Sequence, residues 1–292
     1  MNMRETVLPA EWGSKIRRYN LQSRSRTRGQ HKGSHHSNRY GSSLDFSDFR
    51  EYHPGDDVRK LDWNVYARTE KYFIKRYLDE QEMRVHILLD TTKSMAQDDK
   101  WEVAKQLTVA LGRMVLNKDD HLSFSYVANT PEQPFRRKGA SFQKAFDQTV
   151  AKLQHPIGDG AFASNAMKVL PKGSTILIII SDGLEAIDEW EIFLKQTPKV
   201  AGDVRFLQLQ TTQEIAPTYS GDVQLMDVET QELVNISMSQ YVLDSYKQLR
   251  DSHQLQLEAL CHRYGIAFLP VETNAGIQHI LFQQLTKANW IQ

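Results

Sequence analysis

The sequence predicts an α/β protein built on a doubly wound, mainly parallel sheet. Two apolar runs, residues 85–89 and 176–180, are too short for helices on their own, and aspartates follow them at Asp90 and Asp182. Continuous runs without alternation mark strands buried on both faces, as in parallel sheets. Further short strands alternate with segments of helical apolar spacing, the order of a sheet covered by helices on both sides.

Each element follows from its own pattern. Trp101, Ala104, Leu107, Leu111, Met114 and Val115 keep helical spacing over 100–116, and Leu122, Phe124 and Tyr126 alternate as a half-buried strand over 121–127. Phe142, Ala145, Phe146, Thr149, Val150 and Leu153 predict an amphipathic helix, and 164–170 a shorter one. The β-branched stretch 175–181 reads as the central strand, 187–196 as a helix and 204–209 as the next strand. Residues 221–228 and 232–236 flank Glu229, Thr230 and Gln231 as a β-hairpin, expected at the sheet edge. A long helix over 240–264 shows a stripe of Leu243, Tyr246, Leu249, His253, Leu257, Leu260 and Tyr264. His253 is read there as a packed, hydrogen-bonded residue. A last strand at 266–271 and a helix at 277–290 close the chain.

Composition bounds the function. The 292 residues carry no net charge, with 40% hydrophobic and 25% charged residues, an ordinary globular balance. The longest aliphatic run, 176–180, is far short of a membrane span, and residues 1–20 hold no apolar signal core. A single cysteine, Cys261, rules out an internal disulfide framework and a Cys-based zinc site, and points to a reducing cytoplasm. Phosphate-loop, nucleophile-elbow, H-E-x-x-H and G-x-G-x-x-G motifs are missing, so no catalytic residue is assigned.

Charge is uneven along the chain. Residues 1–44 hold nine Lys and Arg against Glu5 and Glu11, and read as a basic, loop-rich arm with a short helix around 12–19. Such an arm either lies on the protein's own acidic body, the favoured reading, or contacts nucleic acid through residues 15–39. Aromatics for base stacking are sparse, only Tyr19 and Tyr40. Residues 45–82 read as a β-rich appendage. Pro54-Gly55 is a tight-turn signal, and Arg50, Asp56, Asp57, Arg59, Asp62 and Arg68 interleave with Tyr52, Trp63 and Tyr66. Balanced charge among aromatics predicts an internal salt-bridge network tying appendage to core.

The candidate site is the stretch that follows the first apolar run. Asp90, Thr92 and Ser94 recur at every second residue, so an extended loop would turn all three oxygens to one side. One carboxylate and two hydroxyls form a hard-oxygen set suited to Mg²⁺, in the crevice where open α/β sheets bind ligands. Asp182 ends the central strand and supplies a second carboxylate at the same edge. Against this, Asp90 can simply cap the following turn, and the Lys93 ammonium can compete with a cation. A phosphohydrolase centred on Asp90 is the enzymatic alternative. A haloacid-dehalogenase-type enzyme would need a second aspartate where Thr92 stands.

Two motifs carry a resemblance. Residues 49–68, F-R-E-Y-H-P-G-D-D-V-R-K-L-D-W-N-V-Y-A-R, are similar to the hallmark segment of bacterial proteins with the domain of unknown function 58, and residues 33–37 and 41–46 fit its lead-in. Asp90-x-Thr92-x-Ser94 resembles the D-x-S-x-S signature of von Willebrand factor A domains. The resemblance spans roughly residues 20–275 and implies a von Willebrand A-like domain over 83–292, with the hairpin inserted at 219–237. It implies a metal-ion-dependent adhesion site of Asp90, Thr92, Ser94 and, through water, Asp182. The loop threonine usual in such sites is missing from residues 158–164. It further implies a non-enzymatic protein-binding or scaffold role beside a MoxR-type AAA+ ATPase in remodelling or maturing a client.

Overall fold

The structure, a computed structural model, describes residues 7–9, 11–24, 32–127, 134–153, 162–226 and 233–292, with backbone alone for 32–48, 60 and 76–81. The chain divides into two compact units, residues 26–83 and residues 1–25 with 84–292.

The smaller unit is a two-stranded antiparallel sheet of β1 (Lys32–Glu51) and β2 (Phe73–Gln81), with several register shifts along it. The loop expected over 21–44 is therefore a strand from residue 32. Gly, Ser and His give that stretch little strand preference of its own, and pairing with β2 decides it. The proposed boundary at residue 44 falls inside β1. A helix not anticipated in this β-rich region, α2 (Trp63–Thr69), starts where Asp62 accepts the backbone N–H groups of Asn64 and Val65, and ends at Glu70 in the left-handed region.

The larger unit contains the six-stranded sheet. Its strands are β3 (Arg84–Leu89), β4 (His121–Tyr126), β5 (Phe135–Lys138), β6 (Ser174–Ser181), β7 (Ala201–Gln210) and, after a hairpin, β10 (Ala267–Glu272). They lie in the order β10-β7-β6-β3-β4-β5, all parallel except β5, an antiparallel edge strand that the sequence reading passed over. This is the doubly wound order, with the chain running outward from β3 on one side and from β6 on the other. One sheet face, Leu88, Leu177, Ile179 and Phe206, packs on α5 (Phe162–Val169), α6 (Ile187–Leu194) and the carboxyl end of α8 (Gln240–Arg263) through Phe162, Trp190, Phe193, Leu257 and Leu260. On α3 (Lys100–Asn117), fourteen of eighteen residues are buried, and α4 (Gln143–Ala151) packs against it. Helices on both faces explain why β3 and β6 read as unbroken apolar runs.

Three expectations change here. Residues 7–9 and 11–24 are not part of a loop-rich arm: Trp12 and Ile16 of α1 (Trp12–Ile16) are buried, as are Leu8 before it and Leu21 after it. Asn20 and Gln292 exchange backbone hydrogen bonds of 2.8 and 2.9 Å, joining the two ends of the unit. The hairpin, β8 (Gly221–Met226) with β9 (Leu233–Met238), forms its own two-stranded sheet and does not extend the six-stranded one. Its turn at 229–231 lies outside the described residues. The stripe along α8 is buried only at Leu257 and Leu260, while Leu249 is 73% exposed. Among the described residues no helix is long and apolar enough to cross a membrane.

Candidate binding crevice at the carboxyl edge of the sheet

β3 and β6 are neighbours whose chains leave in opposite directions, so a crevice opens beyond their carboxyl ends. The Asp90 backbone N–H donates to Ile180 O at 2.9 Å, which sets Asp90 beside Ser181 and Asp182. Asp90 Oδ1 accepts from Thr92 N (2.9 Å) and Thr92 Oγ1 (2.7 Å), and Oδ2 accepts from Ser181 Oγ (2.6 Å). Thr92 Oγ1 and Ser94 Oγ are 3.0 Å apart. The three predicted oxygens therefore do converge, but not along an extended loop. Lys93–Ala96 is a 3₁₀ turn, and the tight turn after Thr92 brings Ser94 back. Burial, and then the like charge of Asp182, push the Asp90 carboxyl up to about 7, against the hydrogen bonds from Ser181 and Thr92.

Asp182 faces a different partner from the one foreseen. Its Oδ2 accepts from Lys100 Nζ at 2.9 Å, and the same ammonium donates to Glu214 Oε1 at 2.6 Å. Lys100 is completely buried, and Asp182 is 3% exposed. Burial works against the ammonium, yet Asp182 and Glu214 outweigh it and raise the Lys100 pKa. Glu214 is itself anchored: its Oε2 accepts from Thr211 N at 2.8 Å while Thr211 Oγ1 accepts from Glu214 N, a capping box on α7 (Thr212–Ile215). Behind Asp182, Gly183 takes φ +73° and has Leu257 Cδ2 2.8 Å from where a Cβ would stand, so only glycine turns the chain here. The Gly183 carbonyl pairs with His253 Nε2 at 2.8 Å, a structural contact as expected of that histidine.

Sequence reasoning missed Lys100, Glu214 and Ser181. Ser181 stood next to Asp182 at the strand end, and Thr211-x-x-Glu214 is a legible capping box. Lys100 had a weaker signal. It is the first residue of α3, where the helix dipole disfavours a cation, so a lysine there needs anions nearby.

As they stand, these residues do not fit magnesium. Asp182 Oδ2 holds the Lys100 ammonium and its Oδ1 accepts from Leu184 N at 3.3 Å, and the fully buried ammonium occupies the space between Asp182 and Glu214. Hard dications need several oxygens facing one point. Residues 158–161 of the loop without threonine lie outside the described residues. The ammonium on Asp182 is that of Lys100.

Next to this cluster lies a cleft of about 460 Å³, lined among others by Asp182, Gln208, Glu214, Leu249, Arg250 and His253. Gln208 Nε2 donates to Asp182 O at 3.0 Å, but its buried Oε1 has no hydrogen-bond partner among the described residues, nor has Arg250 Nε. Exposed Leu184 (51%) also lines the cleft.

The network expected around Pro54-Gly55 separates into local pieces. Arg50 Nη2 meets Asp56 Oδ1 at 2.7 Å; the His53 N–H and then this arginine hold the Asp56 carboxyl below its usual range. Asp57 caps its own 3₁₀ turn through Arg59 N, and the Arg59 guanidinium stands 3.7 Å away on a side chain 91% exposed, which contributes little. Asp62 caps α2 and pairs with Lys75 at 3.0 Å, a partner outside the predicted set. Arg68 Nε donates to the Asn64 carbonyl. Tyr66 stacks on Tyr72 with centroids 4.5 Å apart, Tyr52 meets Tyr72 edge-on and Trp63 meets Tyr66. All these contacts stay between residues 50 and 75.

A six-stranded doubly wound sheet with acids at its switch point, joined in the chain to a small β unit, defines a von Willebrand A-like α/β protein with an N-terminal appendage. The chain belongs to the family described as "Protein of unknown function DUF58", which matches residues 48–256. It is 24% identical over 237 residues to uncharacterized proteins of Mycobacterium bovis and Mycobacterium tuberculosis, covering 77% of this chain and 73% of theirs. Among solved structures it is similar to the conserved hypothetical protein BatB from Bacteroides thetaiotaomicron (TM-score 0.37, 15% identity, 70% of this chain and 98% of that one). It is also similar to an aerotolerance-related membrane protein from Bacteroides fragilis (0.37, 14%, 70% and 99%) and to the SpRpn10 VWA domain (0.38, 8%, 70% and 95%). The fold assignment rests on the strand order above.

Proposed function

We propose that this protein is a non-enzymatic binding or scaffold protein that docks a partner at the carboxyl edge of its sheet. The observation that carries this reading is the cleft beside Asp182. It combines an exposed apolar rim, Leu184 and Leu249, with a buried and unpaired Gln208 Oε1, a combination a partner group would cover and satisfy. The chemistry of Asp90 supports binding over turnover. It is 1% exposed, and its oxygens accept hydrogen bonds from Thr92 in the loop and from Ser181 at the end of β6, so it offers no free nucleophile to a phosphate ester. The family resemblance supplies the partner, a MoxR-type AAA+ ATPase acting on a client protein. The magnesium expected in this crevice is left out of the proposal, since the Lys100 ammonium already sits on Asp182 Oδ2.

The test is binding of a purified MoxR-type ATPase to immobilised protein, wild type against the double variant Leu184→Asp, Leu249→Asp. Both side chains are exposed, so melting should be unchanged while affinity falls at least about tenfold, the loss typical of an interface anchor. Equal binding by the variant would sink the reading.

A further inference from the structure

We propose that the Lys100 ammonium is the resident cation of the carboxyl-edge crevice, standing where a divalent metal would bind, so that docking there is independent of metal. The docking clause rests on the function proposed above; the cation assignment does not.

Four features of the chain argue for it. Lys100 is completely buried, and an ammonium is retained in such a place only when paired and hydrogen-bonded. Its Nζ reaches two carboxylates from different elements, Asp182 after β6 at 2.9 Å and Glu214 in α7 at 2.6 Å. Glu214 is held independently by its capping box with Thr211, so the anionic cradle exists whether or not the lysine enters it. Finally, Lys100 begins α3, where the helix dipole repels a cation, and the paired anions overcome that repulsion.

The remaining part of the crevice is closed in a matching way. Asp90 Oδ2 accepts from the Ser181 hydroxyl, and Oδ1 accepts from Thr92. Both Asp90 oxygens and Asp182 Oδ2 thus have a donor from this chain. A dication at Asp182 would either displace the ammonium from its carboxylates or stand beside a second buried positive charge, and both oppose binding.

The experiment titrates Mg²⁺, and separately Mn²⁺, into the full chain and records calorimetric heat and melting temperature, with EDTA as the metal-free reference. Wild type should show neither saturable heat nor a shift in melting. Lys100→Met, nearly isosteric but uncharged, should melt several degrees lower in EDTA, and millimolar metal should restore part of the loss. Adding Asp182→Asn to Lys100→Met should remove that rescue. Saturable metal binding by wild type would overturn the proposal, and so would a Lys100→Met variant that melts like wild type in EDTA. If Lys100→Met does not fold, the wild-type titration decides alone. No partner is present in the experiment, so its outcome is separate from that of the docking test.

Discussion

At Asp90, one carboxyl group connects the loop, the neighbouring strand and the charge of Asp182. Its pKa is raised to about 7 in the folded chain against 3.8 as the ordinary value. Between these limits the unfolded chain releases its proton while the folded chain keeps it. Stability attributable to this group therefore falls as pH rises from about 4 to about 7, and is level above that. Asp90→Asn keeps an oxygen for Thr92 and an amide for Ser181 and removes the titration. The variant should be more stable than wild type at alkaline pH and show little or no such advantage below about pH 4, by urea denaturation at both. A difference of equal size at the two pH values would contradict the assignment. Asp90, Thr92, Ser94 and Asp182 were all legible in the sequence, because each follows an apolar run by a fixed number of residues. Lys100 was not, because its partners lie 82 and 114 residues away along the chain.

The packing of α3 against α4 turns on a glycine. Gly112 lies inside α3, and a Cβ there would stand 2.1 Å from Cε1 of Phe146, a ring that is completely buried in α4. On an open helix, glycine to alanine gains about 1 kcal/mol. Here the ring is packed against Phe124 and Phe135, and overpacking should reverse the sign: Gly112→Ala is expected to cost about 1–3 kcal/mol, read from denaturant midpoints. An unchanged or raised midpoint would show that the helices part easily. The α8 helix shows the limit of periodicity at this scale. Its stripe was regular over seven residues, but only the part nearest Leu257 and Leu260 meets the sheet. Periodicity defines a face and does not say what covers it.

Across the α/β unit, Arg205 joins three distant parts of the chain. It lies in β7, fully buried, and donates to Asp203 Oδ2 (2.7 Å), to the Trp290 carbonyl (3.0 Å) and to the Gln22 carbonyl, with the Trp290 ring 5.4 Å away. Arg24 N also donates to Asp203 Oδ2 at 2.9 Å. Arg205→Met removes the charge partner of buried Asp203, which keeps only the Arg24 N–H, and takes a donor from the Trp290 and Gln22 carbonyls, so a loss of about 3–5 kcal/mol is expected. Amide exchange should quicken in residues 11–24 and 289–292 together. Exchange that changes in only one of the two segments would show that they are held separately.

The α/β class, the alternation of core strands with helices and the position of Asp90 and Asp182 at strand ends are legible in the sequence. Those features depend on local apolar pattern and on strand length, which neighbouring residues carry. The meeting of Lys100 with Asp182 and Glu214, the packing of residues 11–24 and the strand over 32–51 are not legible there. Each of these depends on a charge, a carbonyl or a backbone ladder supplied from elsewhere in the chain. A buried ammonium is stable only beside its anions, and a Gly- and Ser-rich segment is a strand only beside its partner.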